Sequence, residues 1–122
     1  MTTWTPTSEE SLWNDINSAY NDLSASEARF LDAIRIPPQK WALDPWGTQG
    51  GGFWVIGIIG NIVLWYNDIE EGFNNSRYTN FGVIDKYNCE QDELPWALLK
   101  LKRFIETGGP EGRMLPPEAK WP

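Results

Sequence analysis

The sequence contains no histidine and only one cysteine, Cys89, in 122 residues. The first absence removes the commonest general base and the commonest metal ligand, and with them every histidine-dependent catalytic triad. The second excludes an internal disulfide and a cysteine-rich zinc site. Positive charge is scarce as well. Ten Lys and Arg stand against 17 Asp and Glu, giving a net charge of −7 and a pI near 4.5. No Lys or Arg lies between Lys40 and Arg77. Nucleic acid is therefore not an expected partner, because binding phosphates requires clustered Lys or Arg. A membrane span is not expected either. The most apolar stretch, 53–66, has 14 residues with a turn signal inside it, against the ~18–20 that a membrane helix needs. Met1-Thr2-Thr3-Trp4 lacks the basic and apolar regions of a secretory signal. A soluble, cytoplasmic protein is expected, and the glycosylation sequon Asn74-Asn75-Ser76 carries no weight in that setting.

What the chain does have is aromatic and acidic. Its length suits one domain, 1–122, which would bury roughly two thirds of the unfolded surface. Eight residues are Trp, more than a core of this size needs, so some rings are expected at the surface, where Trp adds contact area with few rotors to freeze. The acid is uneven. Residues 1–40 carry six acids and three bases, 41–99 eight and two, and 100–122 three and five. An electronegative middle of this kind attracts a basic protein and speeds its association.

The pattern along the chain predicts an α+β fold. Thr7 with Glu10 has the spacing of a capping box, and Leu12, Ile16, Tyr20 and Leu23 follow on one helical face, predicting a helix over about 8–23. Ser24 with Glu27 repeats the signal ahead of Phe30, Leu31 and Ile34, predicting a short helix over about 25–35 that Pro37-Pro38 terminates. Residues 39–52 read as a connector. Gly50-Gly51-Gly52 has no following Lys and leads into a strand, so it is not a phosphate cradle. Residues 53–67 read as a β-hairpin turning at Gly60-Asn61, with Ile59 opposite Ile62, Gly57 opposite Leu64 and Val55 opposite Tyr66. Phe53, Val55, Ile59, Ile62, Leu64 and Tyr66 then share one face, and Trp54, Ile56, Ile58, Val63 and Trp65 the other. Both faces are apolar, so a small antiparallel sheet with this hairpin at its centre is expected to be covered on both sides. Residues 68–81 read as irregular, with a short strand near 77–79, and 82–87 as another strand. Leu94, Leu98, Leu101 and Ile105 predict a helix over about 93–107 with Pro95 in its first turn. An extended, proline-rich tail over 108–122 follows, with Trp121 expected to pin it to the body.

The most informative segment is 64–76. Trp65, Tyr66, Asn67, Asp68, Glu70, Glu71, Asn74 and Asn75 place rings, amides and three carboxylates together. Two readings stand side by side. In one, the amides and Gly72 hold a loop against the sheet, since Asn bonds its own backbone and Gly accepts strained geometry. In the other, Trp65, Asp68, Glu70, Glu71, Asn74 and Asn75, with Arg77 and Tyr78 beyond them, form a partner-binding edge. Carboxylates beside aromatics also raise sugar chemistry, because two carboxylates hydrolyse glycosides without histidine and Trp65 or Tyr66 would stack on a sugar ring. A carbohydrate-binding module or small sugar-active enzyme is accordingly the alternative to a protein binder. Asp68, Glu70 and Glu71 lack the spacing of a calcium loop. No catalytic residue, metal site or cofactor is expected.

Gly50-Gly51-Gly52-Phe53-Trp54-Val55, Trp65-Tyr66-Asn67-Asp68-Ile69-Glu70-Glu71-Gly72-Phe73-Asn74 and Cys89-Glu90-Gln91-Asp92-Glu93-Leu94 together resemble segments of small bacterial proteins, some of which belong among the immunity proteins of toxin–immunity systems. The resemblance covers about half of the chain. It implies a protein that neutralises a cognate toxin by direct binding without catalysis. A basic toxin domain, such as a nuclease that must itself bind phosphate, would suit the acidic middle.

Overall fold

The first helix starts one residue later than its capping signal suggests. In the computed structural model, which describes residues 5–107 (and nothing of the Gln49 side chain), Ser8 is the cap and its hydroxyl accepts the Ser11 amide at 3.1 Å. Thr7 lies outside the helix, with its amide bonded to Asp68 and its carbonyl to the Trp54 indole. Helix α1 spans Glu9–Tyr20, and Glu9 and Glu10 in its first turn complement the helix dipole. Helix α2 spans Ala25–Ile34 and carries the full capping box, with both the Ser24 and Glu27 side-chain bonds made.

The chain then passes directly into strand β1, Arg35–Trp41, where the sequence reads as a helix stop and a connector. Proline cannot donate to a ladder, so a strand holding Pro37 and Pro38 is admissible only at an edge. β1 is an edge, and its register with β2 slips between Arg35 and Gln39, across the two prolines. The sheet is an antiparallel meander, β1-β2-β3-β4, with β2 at Phe53–Ile59, β3 at Ile62–Asn67 and β4 at Gly72–Arg77. The predicted hairpin is therefore its centre, turning at Gly60 with φ 58°.

The hairpin register holds near the turn, with Ile59 opposite Ile62 and Gly57 opposite Leu64, and then shifts. A bulge between Val55 and Gly57 puts Val55 opposite Trp65, not Tyr66. One extra residue exchanges the two faces over the first half of β2. Trp54 and Ile56 join Ile59, Ile62, Leu64 and Tyr66 under the helices, while Phe53 and Val55 join Ile58, Val63 and Trp65 on the opposite face.

Both faces are covered. The helical side buries Leu12 and Ile16 of α1, Leu31 and Ile34 of α2, and Leu94, Ala97, Leu98, Leu101 and Phe104 of α3, which spans Leu94–Glu106 with Pro95 in its first turn as expected. Phe104, beneath the Arg77 guanidinium at 5.5 Å, takes the place predicted for Ile105, which is exposed. The other face is covered by residues 78–93, which form a strap instead of the strand expected at 82–87. The strap crosses the sheet to bond Ala42 through Gly82 and Ile84, then returns along the free edge of β4, where Asp85 donates to Arg77 and Phe73 donates to Asp92. Ile84, Tyr78 and Tyr87 of the strap pack on Trp41, Phe53 and Trp65. Covering β4 in this way removes an open sheet edge. The predicted tail and Trp121 lie outside the described residues.

The strap approaches β4 most closely at Gly72. A Cβ there would lie 2.3 Å from Gln91 Cα and 2.4 Å from the Glu90 carbonyl oxygen. Gly72→Ala is predicted to destabilise the fold by about 3 kcal/mol through backbone displacement. Gly51→Ala, whose Cβ meets nothing within 4 Å, should cost about 1 kcal/mol from its positive φ alone. Urea midpoints measure both, and a Gly72→Ala protein as stable as wild type would contradict the close approach.

Candidate functional site

The turn between β3 and β4 sorts its acids to opposite sides of the surface. Asn67 begins it by accepting the amides of Ile69 and Glu70 at 3.0 and 3.1 Å through Oδ1, and Glu71 closes it in the left-handed conformation with φ 62°. Asp68 faces inward and is only 7% exposed. Its Oδ2 accepts the Thr7 amide at 2.7 Å, while Oδ1 has no hydrogen-bond partner among the described residues. Trp54 Nε1 donates to the Thr7 carbonyl at 2.9 Å, so Thr7 is gripped from both sides. Burial pushes the Asp68 carboxyl above its ordinary value, against the opposing effects of the Thr7 amide and the Lys40 charge.

The amides of 64–76 also belong to the interior. Asn74 donates to the Glu90 carbonyl at 3.0 Å and accepts the Glu90 amide at 2.9 Å, pairing with the strap as another strand would. Asn75 donates to the Ala97 carbonyl of α3 at 3.0 Å. Ser76 Oγ accepts the Trp65 indole N–H and the Asn88 side-chain Nδ2–H, both at 2.9 Å, and donates to the Lys86 carbonyl at 3.0 Å. Asn88 also donates to the Asn75 carbonyl, and Asn67 to the Asn88 carbonyl. Trp65 is fully buried and offers no face on which a sugar could stack.

Of the eight residues predicted to form a binding edge, Trp65, Asp68, Asn74 and Asn75 are thus buried. Half-buried Arg77 and Tyr78 lie at the far end of β4, about 17 Å of strand from the turn, with Tyr78 Oη donating to the Gly60 carbonyl. Half-buried Glu70 and exposed Glu71 remain at the near end.

Glu71 opens onto a cleft of about 340 Å³ between the turn, α1 and the approach to α3. Tyr66 and Phe73, with ring centroids 4.9 Å apart, line it together with carboxylates from three parts of the chain: Asp15 and Asp22, Glu71, and Asp92 and Glu93. Asp92 is paired with Lys100 at 2.7 Å. Asp15, Asp22, Glu71 and Glu93 have no ion pair among the described residues, and no Lys or Arg lines the cleft. Burial pushes the Tyr66 phenol up, and Asp15, Glu71 and Asp68 push it the same way, so negative potential is concentrated over this ring. Asp15 and Asp22 are absent from the sequence-predicted site. Their signal is the spacing Asp15, Ser18, Asp22, which sets all three on one stripe of α1 and its closing turn.

Such a cleft attracts cations and repels phosphate. No group of three or more Asp, Glu or Cys among the described residues is arranged to hold a metal ion, and no described helix is long and apolar enough to cross a membrane. The chain matches no family model, no curated protein and no solved structure.

Asp68 generates a pH prediction. A carboxyl raised in the folded state binds its proton more tightly there than when unfolded. Its favourable contribution is complete below the unfolded value and is lost as pH rises through the folded value. Subtracting the stability–pH curve of Asp68→Asn from that of wild type should leave a difference that declines with rising pH above about 4. Asp68→Ala, which also removes the acceptor of the Thr7 amide, should lower stability further, by about 1 kcal/mol. A flat or rising difference curve refutes the assignment.

Proposed function

We propose that this is a non-enzymatic binding protein of the immunity type, which neutralises a basic toxin domain by direct contact through its acidic cleft. The observation that carries the reading is the convergence of Asp15, Asp22, Glu71 and Glu93, which have no ion pair among the described residues, on an aromatic floor. Side chains from separated parts of the chain supply one sign of charge to one concavity, and Tyr66 and Phe73 supply apolar contact beneath it. A partner whose own site is basic, as a nuclease site must be in order to hold phosphate, meets complementary potential there. Complementary charge acts mostly on encounter rate and on rejection of wrong partners. Aromatic contact in a desolvated centre acts on residence time. Such a protein would work in the cytoplasm, where a toxin reaches its target.

The product of the gene adjacent to this one is the natural test partner. Co-expression is expected to restore growth that the neighbour alone arrests, with the two proteins recovered as a complex. Asp15→Lys with Glu71→Lys should slow association at low salt at least tenfold, flatten its salt dependence and abolish protection. A neighbour that is neither toxic nor retained, or an association rate untouched by the double reversal, overturns the proposal.

A further inference from the structure

The loop between β1 and β2 holds a second cavity, outside the acidic cleft. It measures about 180 Å³ and is lined chiefly by Leu43, Asp44, Trp46, Thr48, Gly51 and Gly52. Although read from sequence as a connector, this loop is closed on itself. Trp46 donates its amide to the Leu43 carbonyl at 2.8 Å, and Gly50 and Gly52 donate theirs to the Gly47 carbonyl at 3.0 and 2.9 Å. It is also seated on the core. A Cβ at Gly47 would lie 2.8 Å from the Phe53 ring, and one at Gly52 would lie 2.2 Å from the Trp41 carbonyl oxygen.

Trp46 is 45% exposed, an unusual state for the largest apolar side chain. Its ring stacks on Tyr87 at 4.3 Å and 20°. Tyr87 in turn packs against Phe53 and Trp65. One indole face is therefore backed by Tyr87, and the ring, still 45% exposed, also lines the cavity. Among the described residues Asp44 is the only charged one lining the cavity, and it has no hydrogen bond or ion pair with any of them. Lys40, which reaches this loop, is committed to the Gly50 carbonyl and to the Trp54 ring.

A partly exposed indole beside a carboxylate that has no ion pair among the described residues complements a planar, weakly hydrated cation. Trp is the best aromatic partner for such a cation. Arginine lies flat on a ring and forks its N–H groups onto carboxylate, whereas the compact, strongly hydrated lysine ammonium does neither. Phosphate is repelled by Asp44. We propose that the cavity beside Trp46 takes an arginine side chain of a partner protein, with the guanidinium on the indole and its N–H groups toward Asp44. The identity of the arginine's bearer rests on the reading of the partner as a basic protein. The placement agrees with that reading. Trp41 pairs with Phe53, Trp54 with Tyr66 and Asn67 with Gly72, so this loop and the β3–β4 turn project from the same end of the sheet.

The test is a titration of the isotope-labelled full-length protein with a Gly-Arg-Gly amide peptide at low salt, followed through the Trp46 indole N–H and the amides of Thr48 and Gly51. A saturable shift at these positions is expected. Trp46→Ala and Asp44→Asn should each weaken it roughly five- to tenfold. A citrulline peptide, which keeps the shape and loses the charge, should give no saturable shift and needs no variant to fold. Equal response to citrulline or to glucose, or no saturable shift at Trp46, overturns the proposal. Shifts confined to Tyr66, Glu71 and Phe73 would support the acidic cleft while removing this pocket. Shifts confined to the Trp46 loop would support the pocket and count against the cleft.

Discussion

The arrangement depends on the hydrogen bonds that a polar strand makes with an irregular segment. The central hairpin is apolar on both faces and must be covered twice. Helices cover one face with their own backbone bonds already made. The other is covered by residues 78–93, whose backbone groups have no regular ladder to satisfy them. Side-chain amides and a hydroxyl supply the missing partners: Asn74 takes both backbone groups of Glu90, and Ser76 bonds Lys86, Trp65 and Asn88. Buried amides are stabilising only when satisfied, since an orphaned polar group costs more than a made bond returns. Asn75 departs from this pattern: its Nδ2 bonds Ala97, but its buried Oδ1 has no hydrogen-bond partner among the described residues. This clamp sets where the strap runs. It thereby places Asp92 and Glu93 at the cleft and Tyr87 beneath Trp46.

The same logic divides neighbouring acids between structure and surface. Asn67 fixes the start of the β3–β4 turn and Glu71 its left-handed end, so the residues between them are not free to choose a side. Asp68 is drawn in to grip Thr7, which anchors the entry to α1. That entry in turn holds Asp15 and Asp22 across from Glu71. A buried carboxylate with one oxygen unbonded among the described residues is costly, and here the cost secures the wall of an electronegative cleft. The carboxylates that face solvent depend for their position on the one that does not.

The sequence disclosed those elements whose signals are local and strong. Helical period with Ser24–Glu27 capping, Pro95 in a first turn and Gly60-Asn61 between β-branched runs each correspond to a single physical requirement, and each reappears in the fold. Elements that depend on distant partners were illegible. β1 contains two prolines and is a strand only because it lies at an edge. β4 reads as polar loop because its Asn and Ser residues face the strap and α3, which a pattern of hydrophobicity cannot register. The β2 bulge, set by fit to both neighbours, exchanged the two faces of half a strand. In the same way, Asp15 and Asp22 joined the cleft from fifty residues away, whereas Asp68, Asn74 and Asn75 left the predicted edge because the fold had bonds for them to make.

That division suggests how to pick out a candidate binding surface in a small acidic protein. Charge density along the chain is a poor guide, because turns send consecutive acids in opposite directions. A better guide is what remains once every side chain with a structural partner is set aside. At this end of the sheet the remainder among the described residues includes Glu70, the cleft carboxylates other than Asp92, and Asp44 beside the partly exposed Trp46. All of it is carried by backbone that is pinned elsewhere, by the Thr7 grip, the Asn–Ser clamp and the glycines seated on Phe53 and Trp41. Groups held in place before a partner arrives lose little freedom when it does, and such preorganisation lets a modest surface bind well.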